Sequence, residues 1–169
     1  MKEIEIWKFI KTIIHKNKKA ALLTVVESTD SSPGKQGFKM AVDEDGNIIG
    51  TIGGGIMEKN LISESLTYVK AREKYFIKTL YHNPESAKEK SGLICGGKQI
   101  VAISVFDYAD KIIVGEILSS LEAQSEVILS ISQNGLSLNS KMNTVPRYTY
   151  KFENELNYEY KELYGNSDT

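Results

Sequence analysis

The sequence predicts a mixed α/β (α+β) fold, a single domain with a mixed sheet that contains hairpins and has helices packed on it. Three observations predict it. Ala20–Glu27 is a continuous, β-branched apolar run too short for a helix, as expected for a buried central strand. Several stretches carry apolar residues at helical spacing, and Asp45-Gly46 and Asn134-Gly135 place hairpin signals between alternating apolar runs.

Taken in order, Ile6, Phe9, Ile10, Ile13 and Ile14 fall at i, i+3, i+4, i+7 and i+8, which predicts a helix over 3–17 that stops at Asn17. The strand at 20–27 leads into a polar loop, Ser28 to Gly37. Phe38–Val42 and Asn47–Ile52 then read as strands joined through Asp43-Glu44-Asp45-Gly46. Met57, Leu61, Ile62, Leu66 and Val69 predict a second helix to about residue 72, followed by a strand over 74–80 and an irregular loop over 81–92. Gln99–Phe106 reads as a strand, Val114 to Leu121 as a helix, and 126–131 as the first arm of a hairpin turning at Asn134-Gly135. From Pro146 the chain is rich in Tyr and acids with little apolar periodicity. We therefore divide it into 1–145, the domain, and 146–169, a Tyr-rich segment read as an edge strand or tail.

The composition is that of an ordinary globular chain, 41% hydrophobic and 25% charged. Twenty-one Lys and Arg stand against 22 Asp and Glu, a net charge of -1, so the balance does not point to nucleic acid. One cysteine cannot form an internal disulfide, no apolar run approaches the ~20 residues of a membrane span, and the N-terminus lacks a signal-peptide core. The expectation is a cytoplasmic protein with no nucleic-acid or membrane partner.

The candidate site starts from Gly50-Thr51-Ile52-Gly53-Gly54-Gly55-Ile56-Met57-Glu58. A β-branched run, three glycines and a helical period make a strand, a tight turn and a helix N-terminus. Glycine allows positive φ and close approach, while the helix end presents unpaired N–H groups and a positive dipole end, which suits an anion. Glu58, in the first turn, complements that dipole. Cys95-Gly96-Gly97 is a second element: flanking glycines keep the backbone open at a loop-to-strand junction, where a thiol can face outward as a soft ligand or nucleophile. The Ser28–Gly37 loop leaves the end of a buried strand, and Ser31, Ser32 and Lys35 offer donors beside the turn.

Other chemistries fit less well. Gly92 to Gln99 nearly matches a phosphate loop, but Gln99 replaces the magnesium-binding hydroxyl and a strand follows where a helix is needed. His15 and His82 have no metal-ligand spacing with Cys95, and a Cys95–His82 nucleophilic pair has no support at that separation. No residue is assigned a catalytic role.

The order of Ser31-Ser32-Pro33, Gly37-Phe38-Lys39-Met40, Asp45-Gly46, Gly50 to Glu58 and Cys95-Gly96-Gly97 resembles the XdhC/CoxI family, over roughly residues 19–107. The resemblance implies an accessory protein that binds molybdenum cofactor (molybdopterin) and assists its sulfuration or insertion, a chaperone more than an enzyme. It implies a molybdenum hydroxylase such as xanthine dehydrogenase as partner, with a cysteine desulfurase and a second copy of the chain as further candidates. Gly53, Gly54, Gly55, Glu58, Gly96, Gly97, Ser31, Ser32 and Lys35 would then line the cofactor pocket, with Cys95 as the metal-facing thiol. Ile56 stands where the family's turn carries cysteine, and Asp30 and Gly34 stand where its loop carries Gly and Arg. No G-x-G-x-x-G follows residue 107, so the Rossmann-type domain of longer members, and with it NAD binding, is not expected. Two alternatives remain at this point: an XdhC-like scaffold or interaction module without cofactor binding, and a small thiol-dependent transferase using Cys95.

Overall fold

The computed structural model describes residues 3–29, 31–82, 97–141 and 143–165. Helices and strands are mixed along the chain: α1 (Glu3–His15), β1 (Ala20–Ser28), β2 (Lys39–Asp43), β3 (Ile48–Gly50), α2 (Gly55–Lys70), β4 (Tyr75–His82) and β5 (Gly97–Phe106). A short 3-10 turn then leads to α3 (Lys111–Glu122), β6 (Val127–Ser132), β7 (Gly135–Ser140), β8 (Tyr148–Asn154) and β9 (Asn157–Tyr164). The strands form two sheets, one of order β3-β2-β1-β5-β4 and one of order β7-β6-β9-β8. Every neighbouring pair is antiparallel.

The first sheet is covered on both faces, which explains its apolar central strand. Leu22, Val26, Ala41 and Ala102 face a core shared with Trp7, Ile10 and Ile14 of α1, Val114 and Ile117 of α3, and Leu129 and Tyr160 of the second sheet. On the opposite face, Leu23, Val25, Met40, Val101 and Ile103 pack against Leu61 and Val69 of α2. β1 is thus buried along both edges of its pleat, and a period of two is absent because neither face meets water.

Local chemistry sets the boundaries. Asn17 takes φ 56, the left-handed conformation that ends α1. The Asp43 carboxylate accepts from the backbone N–H of Asp45 and Asn47 and from the Asn47 amide, closing the β2–β3 hairpin. The second hairpin turns one residue earlier than the Asn-Gly signal suggests. Ser132 pairs with Gly135, so Gln133 and Asn134 form the loop and Gly135, at φ 117, opens β7.

The Tyr-rich segment is more ordered than its composition suggests. β8 is an edge strand, but β9 lies inside the second sheet between β6 and β8. Its alternate residues Tyr158, Tyr160, Glu162 and Tyr164 are all buried. That period of two was present in the sequence and was hidden because one of its positions is an acid.

Candidate functional site

Two strand ends and a helix start converge at the glycine turn. Gly53 has φ 125, and a Cβ there would stand 2.5 Å from the backbone nitrogen of Gly34. This glycine exists for close approach, since the Ser31–Gly37 loop lies directly against it. Gly54 and Gly55 both take φ 79 yet have open space where a Cβ would be. These two glycines serve conformation, and among the described residues nothing lies within 4 Å of their Cβ positions.

Glu58 holds the turn from within. Its Oε2 accepts from Thr51 Oγ1 at 2.6 Å, from the Ile52 N–H at 2.9 Å and from the Gly54 N–H at 2.9 Å. The Gly53 N–H donates to Thr51 Oγ1 at 3.1 Å. Three backbone donors of the turn are therefore satisfied by its own side chains, and the carboxylate shapes the turn without pointing away from it. Among the described residues no side chain caps α2, whose N-cap is Gly54. The N–H groups of Gly55, Ile56 and Met57 thus begin an uncapped helix, the part of the turn open to an external anion. Ile56, half exposed, stands beside them.

A neutral network fixes the neighbouring loop. Gln99 of β5 is only 2% exposed; its amide donates to the Ile52 carbonyl at 2.6 Å, and its Oε1 accepts from Ser32 Oγ at 3.1 Å. A Cβ on Gly34 would lie 2.0 Å from the Ile52 carbonyl oxygen and 2.4 Å from Gln99 Nε2, so the loop closes onto the turn only because residue 34 is glycine. Gly97, the first residue of β5, supports the same loop: its Cβ position is 2.9 Å from Ser31 Oγ and from the Ser32 nitrogen. Thr29 and Lys98 pair through backbone and hydroxyl beside it.

The residues singled out from sequence are distributed accordingly. Ser31, Ser32, Gly53, Glu58 and Gly97 belong to one connected region. The Ser32 hydroxyl is buried and committed to Gln99, while Ser31 and Lys35 are exposed. Cys95 and Gly96 lie outside the described residues. Among the described residues no group of three His, Cys, Asp or Glu could hold a metal ion. Lys98 and Gln99 are the second and third residues of a strand, which is the feature that argues against a phosphate loop.

Sequence reasoning passed over a charged cluster on the far side of the same loop. The Lys39 side chain is completely buried; its Nζ lies 2.5 Å from Glu162 Oε2 and 3.0 Å from Glu3 Oε1 and donates to the Gly37 carbonyl at 3.1 Å. Tyr160 donates to Glu162, and Tyr164 donates to Glu3. Burial by itself would lower the Lys39 pKa, but the charges of Glu162 and Glu3 outweigh it and hold it up at about 12. Burial raises Glu162 above the ordinary carboxylate value, against the pull of Lys39. This cluster ties α1, β2 and β9 together, and Tyr148 of β8 lies against Gly37, 2.6 Å from its Cβ position.

Comparison with known proteins bears on the segment that carries this turn. Residues 13–79 match the XdhC and CoxI family. The resemblance read from sequence motifs is thereby borne out for the XdhC/CoxI segment that holds β1, the Ser31–Gly37 loop, the glycine turn and α2. The chain is 37% identical over 87 residues to the uncharacterized protein YqeB of Escherichia coli (strain K12), covering 50% of this chain and 15% of that protein. Its fold is similar to the crystal structure of a xanthine dehydrogenase from Bacillus halodurans, with a TM-score of 0.66 and 19% identity over 98% of this chain and 53% of that one. At that identity the likeness is one of fold. The chain thus spans a small part of its curated relative and about half of the solved one. No helix among the described residues is long and apolar enough to cross a membrane.

Proposed function

We propose that this chain serves the maturation of a molybdenum hydroxylase in the cytoplasm, holding molybdenum cofactor at the glycine turn while it is sulfurated or inserted. The observation that carries the reading is the uncapped start of α2 behind Gly54 and Gly55, in the segment that matches the XdhC and CoxI family. The cofactor's phosphate would meet the N–H groups of Gly55, Ile56 and Met57 at the positive end of the helix dipole. Glu58 keeps those groups aimed outward by occupying the donors behind them. Ser31 and Lys35 would add contacts from the exposed side of the loop, and Cys95 would supply the sulfur ligand. When bound, the cofactor supplies the metal–sulfur chemistry; the chain's own task is to bind and orient it. The hydroxylase and a cysteine desulfurase are the partners this task requires.

The test is molybdenum retained by the purified chain after anaerobic incubation with the cofactor. Ile56→Glu places a carboxylate at the helix start, where it favours the dipole and repels a phosphate. We expect this variant to be at least as stable as the parent and to retain roughly tenfold less molybdenum at limiting cofactor, the effect of about 1.4 kcal/mol. Cys95→Ala should lower retention separately. Failure of the parent chain to retain molybdenum would overturn the carrier reading and favour an interaction module of the same shape.

A further inference from the structure

Among the described residues the two sheets have four edges, and they are not equally guarded against pairing with another strand. β3 spans only three residues. β8 carries Lys151 and Glu153 and has an irregular register between Phe152 and Asn154. β4 carries Lys78 and runs into the segment beyond the described residues. β7, Gly135–Ser140, has six residues, no charge, no proline and an unbroken register with β6. Charges, bulges and short length are the devices that keep sheet edges from joining, and β7 has none of them.

The open groups of β7 can be named. Ser132 and Gly135 close the hairpin across a two-residue loop, so bonding to β6 alternates from there. It uses residues 135, 137 and 139 and leaves the N–H and C=O groups of Leu136, Leu138 and Ser140 directed at the open edge. Leu136 and Leu138 lean on the core, while Ser137 and Asn139 are exposed on the other face. Beside this edge runs a cleft of about 720 Å³ between β7 and α3, bordered by Lys11, Lys111, Ile112, Gly115 and Leu138. Ile112 is 68% exposed, and the space beside Gly115 is empty.

We infer that β7 pairs antiparallel with β7 of a second copy of this chain, in a two-fold dimer with a continuous eight-stranded sheet built from two four-stranded ones. A two-fold axis pairs an edge strand antiparallel with its own copy, and β7 has a register in which its outward groups meet. The register with Leu138 opposite its own equivalent matches every outward group: Leu136 with the partner copy's Ser140, and Ser137 side by side with the partner copy's Asn139. The same axis makes the two α3 helices antiparallel, so that Lys111 at one exposed end approaches the opposite end, where Glu122 is exposed. The leucines at the join and Ile112 above it gain the cover they lack in a single chain.

The register gives a charge-swap test by sedimentation equilibrium across a concentration series. Ser137→Lys with Asn139→Lys sets like charges opposite each other twice across the axis and should weaken dimerisation by about tenfold or more. Ser137→Lys with Asn139→Glu sets opposite charges there and should restore the dimer, now with a steeper salt dependence than the parent's. Circular dichroism of both variants checks the fold, and the Lys/Glu variant decides the register even if the Lys/Lys variant is poorly folded. A parent chain that stays monomeric, or a Lys/Lys variant that dimerises as tightly as the parent, would overturn the inference. So would a Lys/Glu dimer indifferent to salt.

Discussion

The Ser31–Gly37 loop is held on two sides by clamps of opposite character. Toward the glycine turn the clamp is neutral: Ser32, Gln99 and the Ile52 carbonyl, with Glu58 behind them. Toward the second sheet it is ionic, with Lys39 buried between Glu162 and Glu3 and covered by Tyr160 and Tyr164. A neutral network fixes geometry at little electrostatic cost and depends on close fit. A buried ionic one makes each partner indispensable to the others, because a charge left alone in the interior is far costlier than a lost amide contact. The loop's position next to α2 is thus a matter of fit, and its attachment to the fold is a matter of charge.

The contrast can be broken most severely at Lys39. Lys39→Met leaves the buried Glu162 carboxylate, with the partly exposed Glu3 beside it, without a cation, and unfolding by urea should show a loss of about 3–5 kcal/mol. Gly34→Ala comes next. Its methyl would overlap the Ile52 carbonyl oxygen and the Gln99 amide, one of them rigid backbone, so we expect a loss of about 3 kcal/mol. The loop should also gain amide exchange, while the Lys39 cluster stays protected. Gln99→Leu keeps the volume but strands the Ile52 carbonyl and the Ser32 hydroxyl; a loss of roughly 2–3 kcal/mol follows, with faster exchange confined to the turn and loop.

The smallest effect separates the clamps by pH. The folded pKa of Lys39 lies above its ordinary 10.5, at about 12, so its contribution is complete below the ordinary value and disappears as pH rises from there through about 12. On the order of 2 kcal/mol should vanish over that window. Tyr150 and Tyr158, each raised to about 12 chiefly by burial, and Tyr160 and Tyr164, raised for the same reason, add losses of the same sign. Urea midpoints on either side of the window measure the total. Gln99→Leu should leave this alkaline slope unchanged, and Lys39→Met should reduce it by the lysine's share while the tyrosine share remains; equal slopes in both variants would mean that the two clamps are not electrically distinct.

Much of the fold was legible because periodicity and turn chemistry are local. The α1 stripe, the apolar run of β1 and the Asp43–Asn47 turn each carry their cause within a few residues, and the family resemblance rested on motifs of the same short range. The glycine turn was legible for the same reason. The role of Glu58 was only half legible: its place in the first helical turn predicts a dipole partner, but its bonds to Ile52 and Gly54 require the chain to fold back on itself.

The sequence alone determined where backbone conformations must be unusual and which stretches are apolar, because φ preferences and side-chain patterning act within one element. It also contained the alternation of Tyr158, Tyr160, Glu162 and Tyr164. Only the tertiary structure decided that this alternation is an internal strand, that Lys39 is a buried cation and that Gly34 is a contact glycine. Those three facts depend on β6 and β8 flanking β9, on Glu162 lying 123 positions from Lys39, and on the Ile52 carbonyl and Gln99 amide beside Gly34. Burial and electrostatics are properties of what surrounds a residue, and for this loop the surroundings include residues as distant in sequence as Gln99 of β5 and Glu162 of β9.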